Sequence, residues 1–260
     1  MSEINTPRIL TVDIETAPII SYVWGLRDEN IGVSQVIQHS HLMSVAAKWS
    51  DSEEVLYKDQ RNILEIENDL DLTIWIRELF DQAEIVVGQN SKRFDVKTIN
   101  SRIEFHKLKR YSDFRQQDTM VMCKKDFKLP SYSLAYMGEY FQLKNRKMEH
   151  AKYAGFTMWK ECIKRNMDAW AEMELYNKQD VRATEELWQR LLKWDDSINF
   201  SAYNDDATNR CSCGSLDLRK NGWRYKNNGK YQRYSCFDCG KPVIDRVNQM
   251  PALKRSEMLK

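Results

Sequence analysis

Three short segments of the chain carry acidic side chains at spacings that suit a divalent cation. Asp13 and Glu15 lie two residues apart in an apolar stretch, and side chains two apart on a β-strand point to the same face. Two carboxylates on one face can bind a hard cation such as Mg²⁺ through their oxygens. The same spacing also occurs where a strand simply turns a polar face to solvent, so the pair alone does not distinguish a metal site from a solvated face.

Two further segments add acidic residues. Asp95 ends a polar segment that starts at Gly88, where a short apolar run stops and a helical pattern begins. An Asp at a helix start can serve a site or merely cap the helix. Tyr176 and Asp180 lie four residues apart in a long helical pattern, so they share one helix face. Taken singly, a Tyr and an Asp on a helix are usually a residue at the edge of the core and a residue facing solvent.

Taken together, these segments resemble the three exonuclease motifs of the DEDD (DnaQ-like) superfamily, in their order and separation. The matching residues span positions 8 to 192 and are most similar to the exonuclease domain of family B DNA polymerases. One branch of the superfamily has a His five residues before the last Asp, where this chain has Leu175, so the chain resembles the tyrosine branch. The motifs are Val12-Asp13-Ile14-Glu15-Thr16, Asn90-x-x-x-Phe94-Asp95 and Tyr176-x-x-x-Asp180, with Gln117-Asp118-Thr119 and Ser133-Leu134 resembling the intervening segment.

The resemblance implies an enzyme, a metal-dependent 3′→5′ exonuclease that hydrolyses phosphodiester bonds at the 3′ ends of DNA. Two divalent ions can activate a water and stabilise the leaving oxygen. By this resemblance the catalytic residues Asp13, Glu15, Asp95 and Asp180 hold two Mg²⁺ or Mn²⁺ ions, and Tyr176 orients the attacking water. A free tyrosine, with a pKa near 10, is a poor general base at neutral pH.

The expected setting is stand-alone proofreading or end-trimming in DNA replication or repair. Two alternatives remain open at this point. One is an exonuclease that trims RNA 3′ ends, because a site for a terminal nucleotide need not read the 2′-hydroxyl. The other is a non-catalytic nucleic-acid-binding protein with a zinc ribbon on a nuclease-like scaffold.

A second possible metal centre lies near the C-terminus. Cys211 and Cys213 form one close pair and Cys236 and Cys239 another, each followed by glycine, with a predicted hairpin tip at Asn227-Asn228-Gly229 between them. The arrangement resembles a zinc ribbon, in which four thiolates hold one structural Zn²⁺. The first pair departs from the usual Cys-x-x-Cys, since only Ser212 separates its cysteines, and this shortens the first knuckle.

Basic and aromatic side chains are interleaved through the ribbon and could contact nucleic acid, the bases by stacking and the phosphates by charge. A structural or protein-docking ribbon is the alternative. The proposed nucleic-acid-binding residues are Lys92, Arg93, Trp223, Arg224, Lys226, Lys230, Tyr231, Arg233 and Lys241. For Lys92 and Arg93, surface salt bridges are the simpler interpretation. Tyr22 and Trp24 could stack on a terminal base, but we favour their packing the loop after the first motif against the domain.

The charge of the chain is unevenly distributed. From Asp205 onward there are twelve Lys and Arg against six Asp and Glu, a net of +6, which leaves −4 for the residues before it and +2 overall. A basic C-terminal part favours a polyanionic partner, although such residues are often only a solvated surface. The expected partners are nucleic acid, most of all single-stranded DNA 3′ ends, and a separate DNA polymerase or replication protein.

No long apolar run and no signal-peptide pattern occur, so we expect a cytoplasmic protein with no membrane partner. Six cysteines, four of them clustered, favour a metal over disulfides in that compartment.

The elements that must position these residues follow from hydrophobic periodicity. Strands are predicted at residues 8–16, 42–49, 54–58 and 85–87, and helices at 68–81, 96–106, 131–141 and 168–194, the last with Trp170, Met173, Leu175, Leu187, Leu191 and Leu192 on its apolar face. This order predicts an α/β fold, an RNase H-like mixed sheet flanked by helices, with a small C-terminal zinc-ribbon domain. The expected domains are an exonuclease domain at 1–200, a zinc ribbon at 208–245 and a basic tail at 246–260, with a polar linker around 195–209.

Overall fold

The computed structural model describes residues 7–27, 30–146, 152–203 and 209–258. Residues 1–6 of the expected first domain, residues 204–208 of the expected linker with Asp205 and Asp206, and residues 259–260 of the tail lie outside this part. The chain divides into two compact units, one formed by Arg8–Gln189 and one that includes the chain from Arg190 onward.

The first unit is built on a five-stranded mixed sheet in the order β5-β4-β1-β6-β7. β1 pairs antiparallel with β4 and parallel with β6, while β4 and β5 form an antiparallel pair and β6 and β7 a parallel one. The predicted mixed sheet and antiparallel meander are confirmed. The strands are β1 (Ile9–Thr16), β4 (Leu42–Trp49), β5 (Leu56–Asp59), β6 (Ile85–Gly88) and β7 (Arg115–Asp118), and a separate two-stranded ladder joins β2 (Ile20–Ser21) to β3 (Val36–Gln38).

In the described part of the first unit six helices accompany the sheet, and two of them were not predicted from the sequence. These two are α3 and α5, both short, whereas the four predicted helices are found within three residues of their expected ends. The helices are α1 (Leu70–Gln82), α2 (Asp95–Phe105), α3 (Thr119–Asp126), α4 (Leu134–Tyr140), α5 (Thr157–Ile163) and α6 (Met167–Leu191), the last followed by a 3₁₀ turn at Leu192–Trp194.

Helices cover both faces of the sheet, which gives three layers. On one face, the alternate β1 residues Leu10, Val12 and Ile14 belong to a core that includes residues of α1 and α2. On the other face, alternate β4 residues meet α6 at four-residue spacing: Ser44 bonds Asn177, Ala46 packs with Val181, and Lys48 forms an ion pair with Glu185. Strand period 2 and helix period near 4 therefore match along this contact.

The apolar face predicted for α6 is partly wrong. Leu175 is 59% exposed, while Trp170, Met173 and Leu187 are fully buried. The buried face instead includes the polar Asn177, because a register of three and four residues from Met173 reaches 176, 177 and 180 rather than 175.

A buried ion cluster ties β4 to α1 and α2. The Asp69 carboxylate accepts hydrogen bonds from the Leu42 backbone N–H at 2.8 Å and from the Arg102 guanidinium at 2.6 and 2.7 Å, and lies 2.6 Å from the His106 ring. Burial favours the neutral acid, but the bonds from Arg102 and His106 outweigh it and lower the pKa of Asp69 below its ordinary value. The cluster fixes the helix layer against the sheet.

The second unit contains a three-stranded antiparallel sheet in the order β10-β9-β8, followed by a short helix. Its elements are β8 (Leu218–Lys226), β9 (Gly229–Cys236), β10 (Pro242–Asn248) and α7 (Ala252–Ser256). β8 and β9 form the predicted hairpin, in which Lys226 pairs with Gly229 across Asn227 and Asn228. The predicted fold class, a mixed sheet with helices and a small C-terminal sheet, is confirmed. Within the described residues, no helix has the length and apolarity that crossing a membrane requires.

Candidate active site and cysteine cluster

Strand β1 presents Asp13 and Glu15 on one face, and both are held by side chains from later in the chain. The Asn177 side-chain amide donates to Asp13 Oδ2 at 2.5 Å, and the Trp159 indole N–H donates to Glu15 Oε2 at 3.1 Å. Both carboxylates are half-buried. The amide and the indole are neutral donors, so they orient the two carboxylates without adding a positive charge.

The loop between β6 and α2 carries Asp95 and is tightly built. A Cβ at Gly88 would come within 2.5 Å of the Ser91 Cβ and 3.3 Å of the Val12 carbonyl, so only glycine fits beside β1. Asn90 adopts a positive φ of 59°, which Asn tolerates better than most residues. This geometry turns the chain sharply where β6 ends.

Asp118, at the end of β7, holds that loop from outside. Its carboxylate accepts the backbone N–H groups of Asn90 and Lys92, each at 3.0 Å, and also caps the first turn of α3 through Met120 and Val121. One buried carboxylate thus satisfies four backbone donors and couples the loop to the neighbouring strand and helix. Asp118 is a positioning residue for the Asp95 loop.

Asp95 is the first residue of α2 and is almost fully buried. Its Oδ1 accepts a 3.2 Å hydrogen bond from the Ile14 backbone N–H, midway between Asp13 and Glu15 on β1. Burial, together with the nearby Asp118 charge, raises the pKa of Asp95 to about 7, although N–H donors of Ile14 and Asp95 itself partly oppose the shift. A carboxylate whose charge is so poorly compensated fits a place where a cation binds.

Helix α6 brings Tyr176, Asn177 and Asp180 to the same region. Asn177 bridges the sheet, since it donates to Asp13 and accepts from the Ser44 hydroxyl at 3.0 Å. Asp180 lies one turn further along this face and is 3% exposed, and Tyr176 is 7% exposed. The Tyr176 ring meets Trp159 edge-to-face with centroids 6.2 Å apart. Trp159 therefore touches both Glu15 and Tyr176.

The oxygen-only donor set of Asp13, Glu15, Asp95 and Asp180 is the kind that hard divalent cations prefer. In the part of the chain that the structure describes, however, the one group of three or more potential ligands with all donor atoms within 4.8 Å is made of cysteines. The structure thus ties Asp13 and Asp95 to one stretch of β1 and buries Asp180 on the facing helix, with the four carboxylates not drawn together that closely.

Cys211, Cys213, Cys236 and Cys239 form that compact group at one end of the three-stranded sheet. The Sγ atoms of Cys211 and Cys239 lie 3.6 Å apart, as do those of Cys213 and Cys236. Four sulfurs placed about 2.3 Å from a tetrahedral zinc lie roughly 3.8 Å from one another. The sulfur spacing therefore fits one Zn²⁺, and the shortened Cys-x-Cys knuckle does not prevent the four side chains from converging.

The two knuckles share a turn geometry. Gly214 and Gly240, each just after a cysteine pair, have φ of 92° and 74°, the left-handed region that glycine occupies freely. Burial raises the pKa of Cys213 and Cys239. At Cys236, hydrogen bonds from the N–H groups of Cys239 and Asp238 and from the Ser215 hydroxyl outweigh burial and lower the pKa to about 7. A thiolate at this position suits a metal ligand.

The residues expected to bind nucleic acid lie in different settings. Lys226 and Lys230 sit over the rings of Tyr231 and Trp223 on the β8–β9 hairpin, with ammonium-to-centroid distances of 5.3 and 4.0 Å. Arg224 lines an open hollow of about 590 Å³ at the hairpin tip, together with Lys226 and Tyr231.

Lys241 and Arg233, which were expected to contact nucleic acid, form hydrogen bonds and an ion pair within the protein. The Lys241 ammonium bonds the Asp195 carbonyl at 2.6 Å and the Asp196 carboxylate at 2.5 Å, and Arg233 donates to the Asn221 carbonyl at 2.8 Å. Lys92 and Arg93 are exposed on the Asp95 loop. Neither forms an ion pair with any residue that the structure describes, so the salt bridges expected for them are not found there.

The sequence motifs gave no role to Asn177 and Trp159, and they included Asp118 only within the segment Gln117-Asp118-Thr119. Asn177 lies 164 residues from Asp13, and Trp159 lies 144 from Glu15, so no local spacing links them. A signal did exist for Asn177, because its place between Met173 and Val181 put an amide on the buried face of an amphipathic helix, and a buried polar group is the informative exception.

Comparison with known proteins agrees with this architecture. Residues 12–192 match the model of the RNase H superfamily. A similar solved structure is the family B DNA polymerase from the hyperthermophilic archaeon Pyrobaculum calidifontis, with a TM-score of 0.50 and 17% sequence identity over 72% of this chain and 25% of that chain. The chain thus spans about a quarter of the polymerase's length. No curated protein sequence matches the chain.

Proposed function

The chain belongs to the RNase H superfamily, and from that premise we propose that it is a metal-dependent 3′→5′ exonuclease of DNA. The proposal places it in the tyrosine branch of the DEDD exonucleases, on the three motifs described above. DNA as the substrate rests on those motifs and on the fold likeness to a DNA polymerase. Proofreading or end-trimming beside a separate polymerase is the proposed setting.

One observation carries the proposal: the three motif segments converge on β1. Asp95 from the second segment accepts the Ile14 N–H, and Asn177, between Tyr176 and Asp180 of the third segment, donates to Asp13. Structural explanations of the single residues, such as a solvent-facing strand or a helix cap, do not account for three separate segments that meet on one strand, each with a buried or half-buried carboxylate. Acidic residues brought to one region from distant parts of the chain are typical of a catalytic site.

We propose that Asp13, Glu15, Asp95 and Asp180 hold two Mg²⁺ or Mn²⁺ ions. Such ions supply a nucleophile at neutral pH and stabilise the charge that develops on the phosphate and leaving oxygens. The protein's part is to fix the ligands: Asn177 orients Asp13, Trp159 orients Glu15, and Asp118 holds the loop of Asp95. Donors to ligating carboxylates tune affinity and orientation in this way.

Tyr176 is assigned to the orientation of the attacking water. Its ring is packed edge-to-face against Trp159, so the phenol has a fixed direction. Replacement by phenylalanine keeps the ring and removes the hydroxyl, and we expect a lower kcat with a measurable remainder. An unchanged kcat would assign Tyr176 to packing alone.

The second unit is proposed to be a zinc ribbon that holds one structural Zn²⁺ through its four cysteines and binds nucleic acid through its hairpin. The proposed boundaries remain 1–200 for the nuclease domain, 208–245 for the ribbon and 246–260 for the basic tail, with the observation that β10 continues to Asn248. Because Lys241 is engaged by Asp195 and Asp196, the hairpin residues Trp223, Arg224, Lys226, Lys230 and Tyr231 are the better candidates for DNA contact.

The direct test is degradation of 5′-labelled single-stranded DNA and RNA, with Mg²⁺ or Mn²⁺ added or omitted and the zinc retained. A 3′→5′ exonuclease shortens the labelled DNA in single-nucleotide steps and releases 5′-mononucleotides only when the divalent ion is added. Asp13→Ala should abolish this reaction. Without added Mg²⁺ or Mn²⁺, its melting temperature should be the same as that of the parent or higher, because one of several neighbouring negative charges is removed. An Asp13→Ala protein that degrades DNA at the unaltered rate would show that the proposed site is wrong.

A further inference from the structure

The β2–β3 hairpin displays an apolar and aromatic surface that the proposed function does not use. Trp24 is 96% exposed, Leu26 is 100% exposed and Tyr22 is 73% exposed. The expectation that Tyr22 and Trp24 pack the loop against the domain is therefore wrong. Scattered single apolar residues on a surface are ordinary, but a cluster including a fully exposed tryptophan signals a binding surface.

The base of the hairpin is well fixed. The Tyr22 N–H donates to the Gln35 carbonyl at 2.9 Å, and the Gln35 side-chain amide donates back to the Tyr22 carbonyl at 3.0 Å. At the start of the loop, Ala17 N–H bonds the His41 carbonyl at 2.9 Å, and the Ser40 hydroxyl bonds the Ala17 carbonyl at 2.7 Å. The Tyr22 ring thus stands on a held backbone, two residues before Trp24, and a fixed backbone lowers the entropic cost of binding a ligand.

The hairpin starts at the same edge of the sheet as the Asp95 loop. β1 and β6 are parallel neighbours, so their carboxyl ends lie at one edge; β6 leads there into the loop to Asp95, and β1 leads into the hairpin. Tyr22 follows Glu15 by seven residues, a span of at most about 25 Å. A strand of several nucleotides that ends at the proposed active site can therefore reach the hairpin.

We propose that the β2–β3 hairpin is a stacking platform for the unpaired bases of single-stranded DNA, with Trp24 and Tyr22 as its aromatic faces. The inference rests on the proposed exonuclease function, since the DNA strand is the substrate that would lead past the hairpin. Aromatic faces stack on any base, so the platform holds the strand without reading its sequence. This chemistry suits an exonuclease, which must accept each successive nucleotide.

The test is the affinity of zinc-loaded protein for a 5′-fluorescein single-stranded DNA oligonucleotide, measured by anisotropy in an Asp13→Ala background without added Mg²⁺ or Mn²⁺. Trp24→Leu keeps an apolar side chain but removes the aromatic face, and it should weaken binding roughly 5- to 150-fold. Trp24→Phe keeps a smaller face and should retain most of the affinity. Leu26→Ala is the matched control for general apolar contact in the same loop and should bind as the parent does.

An oligonucleotide of equal length and charge with abasic sites separates stacking from phosphate contact. Against this strand, Trp24→Leu and the parent should bind alike, because no base remains to stack. Equal affinity of Trp24→Leu and the parent for the normal strand, or a loss that persists with the abasic strand, overturns the proposal and assigns the surface to another partner. Hydrolysis of the strand by the unaltered protein is measured separately. If binding depends on Trp24 but no hydrolysis occurs, only the proposed exonuclease activity is contradicted. If hydrolysis occurs but binding does not depend on Trp24, only the stacking platform is contradicted.

Discussion

The two sheets of this protein differ in what surrounds them. β1, β4 and β6 are buried along most of their length, with apolar residues such as Val12, Val45 and Ile85 inside. In contrast, β8 is exposed from Arg219 to Lys226. A sheet covered by helices on both faces is stabilised by its core, whereas a three-stranded sheet with so little buried apolar surface needs another source of stability.

The difference indicates what a metal would do in each place. The first unit has an extensive apolar core that can stabilise its fold, so we propose that Asp13, Glu15, Asp95 and Asp180 serve metal binding rather than folding. In the second unit the cysteine group lies where the two knuckles meet, and zinc binding there would supply folding free energy. Carboxylate oxygens suit exchangeable Mg²⁺ or Mn²⁺, and thiolates suit a zinc that stays bound.

The largest expected effect comes from Cys236→Ser. Structural zinc in small domains contributes about 10–16 kcal/mol of apparent binding free energy, so loss of a ligand should unfold the three-stranded sheet. The amide NMR signals of β8, β9 and β10 should collapse to random-coil positions and the zinc content should fall, while the first unit melts as before. Ser212→Ala, inside the first knuckle but with an unchanged cysteine set, is the control. Retained dispersion of the β9 signals in Cys236→Ser would contradict the contrast between the two sheets.

The next effect concerns the first unit, where Asp69→Asn removes the charge from a buried ion cluster. The change leaves the Arg102 guanidinium without its carboxylate, and breaking a buried pair costs about 3–5 kcal/mol. The lowered pKa of Asp69 sets the pH dependence: its contribution is complete above the unfolded-state pKa of about 4 and is lost as the pH falls through the lower folded-state pKa. The stability of Asp69→Asn should therefore fall less steeply than that of the parent below about pH 4. The free energy of unfolding of both proteins can be measured by urea titration at several pH values. If it falls equally steeply below about pH 4 in the parent and in Asp69→Asn, Asp69 does not have this role.

A smaller effect is expected for Asn177→Leu, which keeps the side-chain size and removes the donor to Asp13. Loss of such a supporting bond typically lowers metal affinity or activity about 10- to 100-fold. The Mg²⁺ concentration for half-maximal hydrolysis should rise, a readout that simple loss of packing would not move. Leu175→Asn, the reverse exchange at an exposed position of the same helix, should leave it unchanged. If both variants shift alike, Asn177 is only a packing residue.

The smallest effect tests the hairpin of the second unit. Each basic side chain that neutralises a phosphate of single-stranded DNA adds about 0.7 to the slope of log affinity against log salt. Arg224→Gln combined with Lys226→Gln should make the slope shallower by about 1.4. Lys254→Gln with Arg255→Gln removes the same charge from α7 and should not. Equal slopes for the two double variants would assign the hairpin to protein docking or structure.

How far the sequence predicted the structure depends on where each signal lay. β4 was placed from Leu42 to Trp49, its observed bounds, because six of its eight residues are apolar. β7 was not predicted, since Arg115, Gln116, Gln117 and Asp118 contain no apolar residue. Gln117 and Asp118 of β7 are buried as well, but they are polar, and a hydrophobic pattern detects only apolar burial.

The residues of the candidate site also differ in whether the sequence could predict them. Asp13, Glu15, Asp95, Tyr176 and Asp180 stand in short motifs, so the sequence could propose them, and their joint action remains a prediction. Residues that orient them could not be found by spacing, since Trp159 and Asn177 reach β1 from more than 140 residues away. Such contacts depend on how α5 and α6 pack, which only the three-dimensional structure shows.

The polar composition of β7, which prevented its prediction from the sequence, also affects how the edge of the sheet meets other molecules. β5 and β7 are the outer strands of the five-stranded sheet, and each leaves one row of backbone N–H and C=O groups without a strand partner in that sheet. Exposed apolar strands in this position recruit strands from other molecules and begin aggregates, while charged ones discourage it. Lys58 and Asp59 on one edge, and Arg115 on the other, place charges there. These charges discourage pairing of the two outer strands with strands of other molecules.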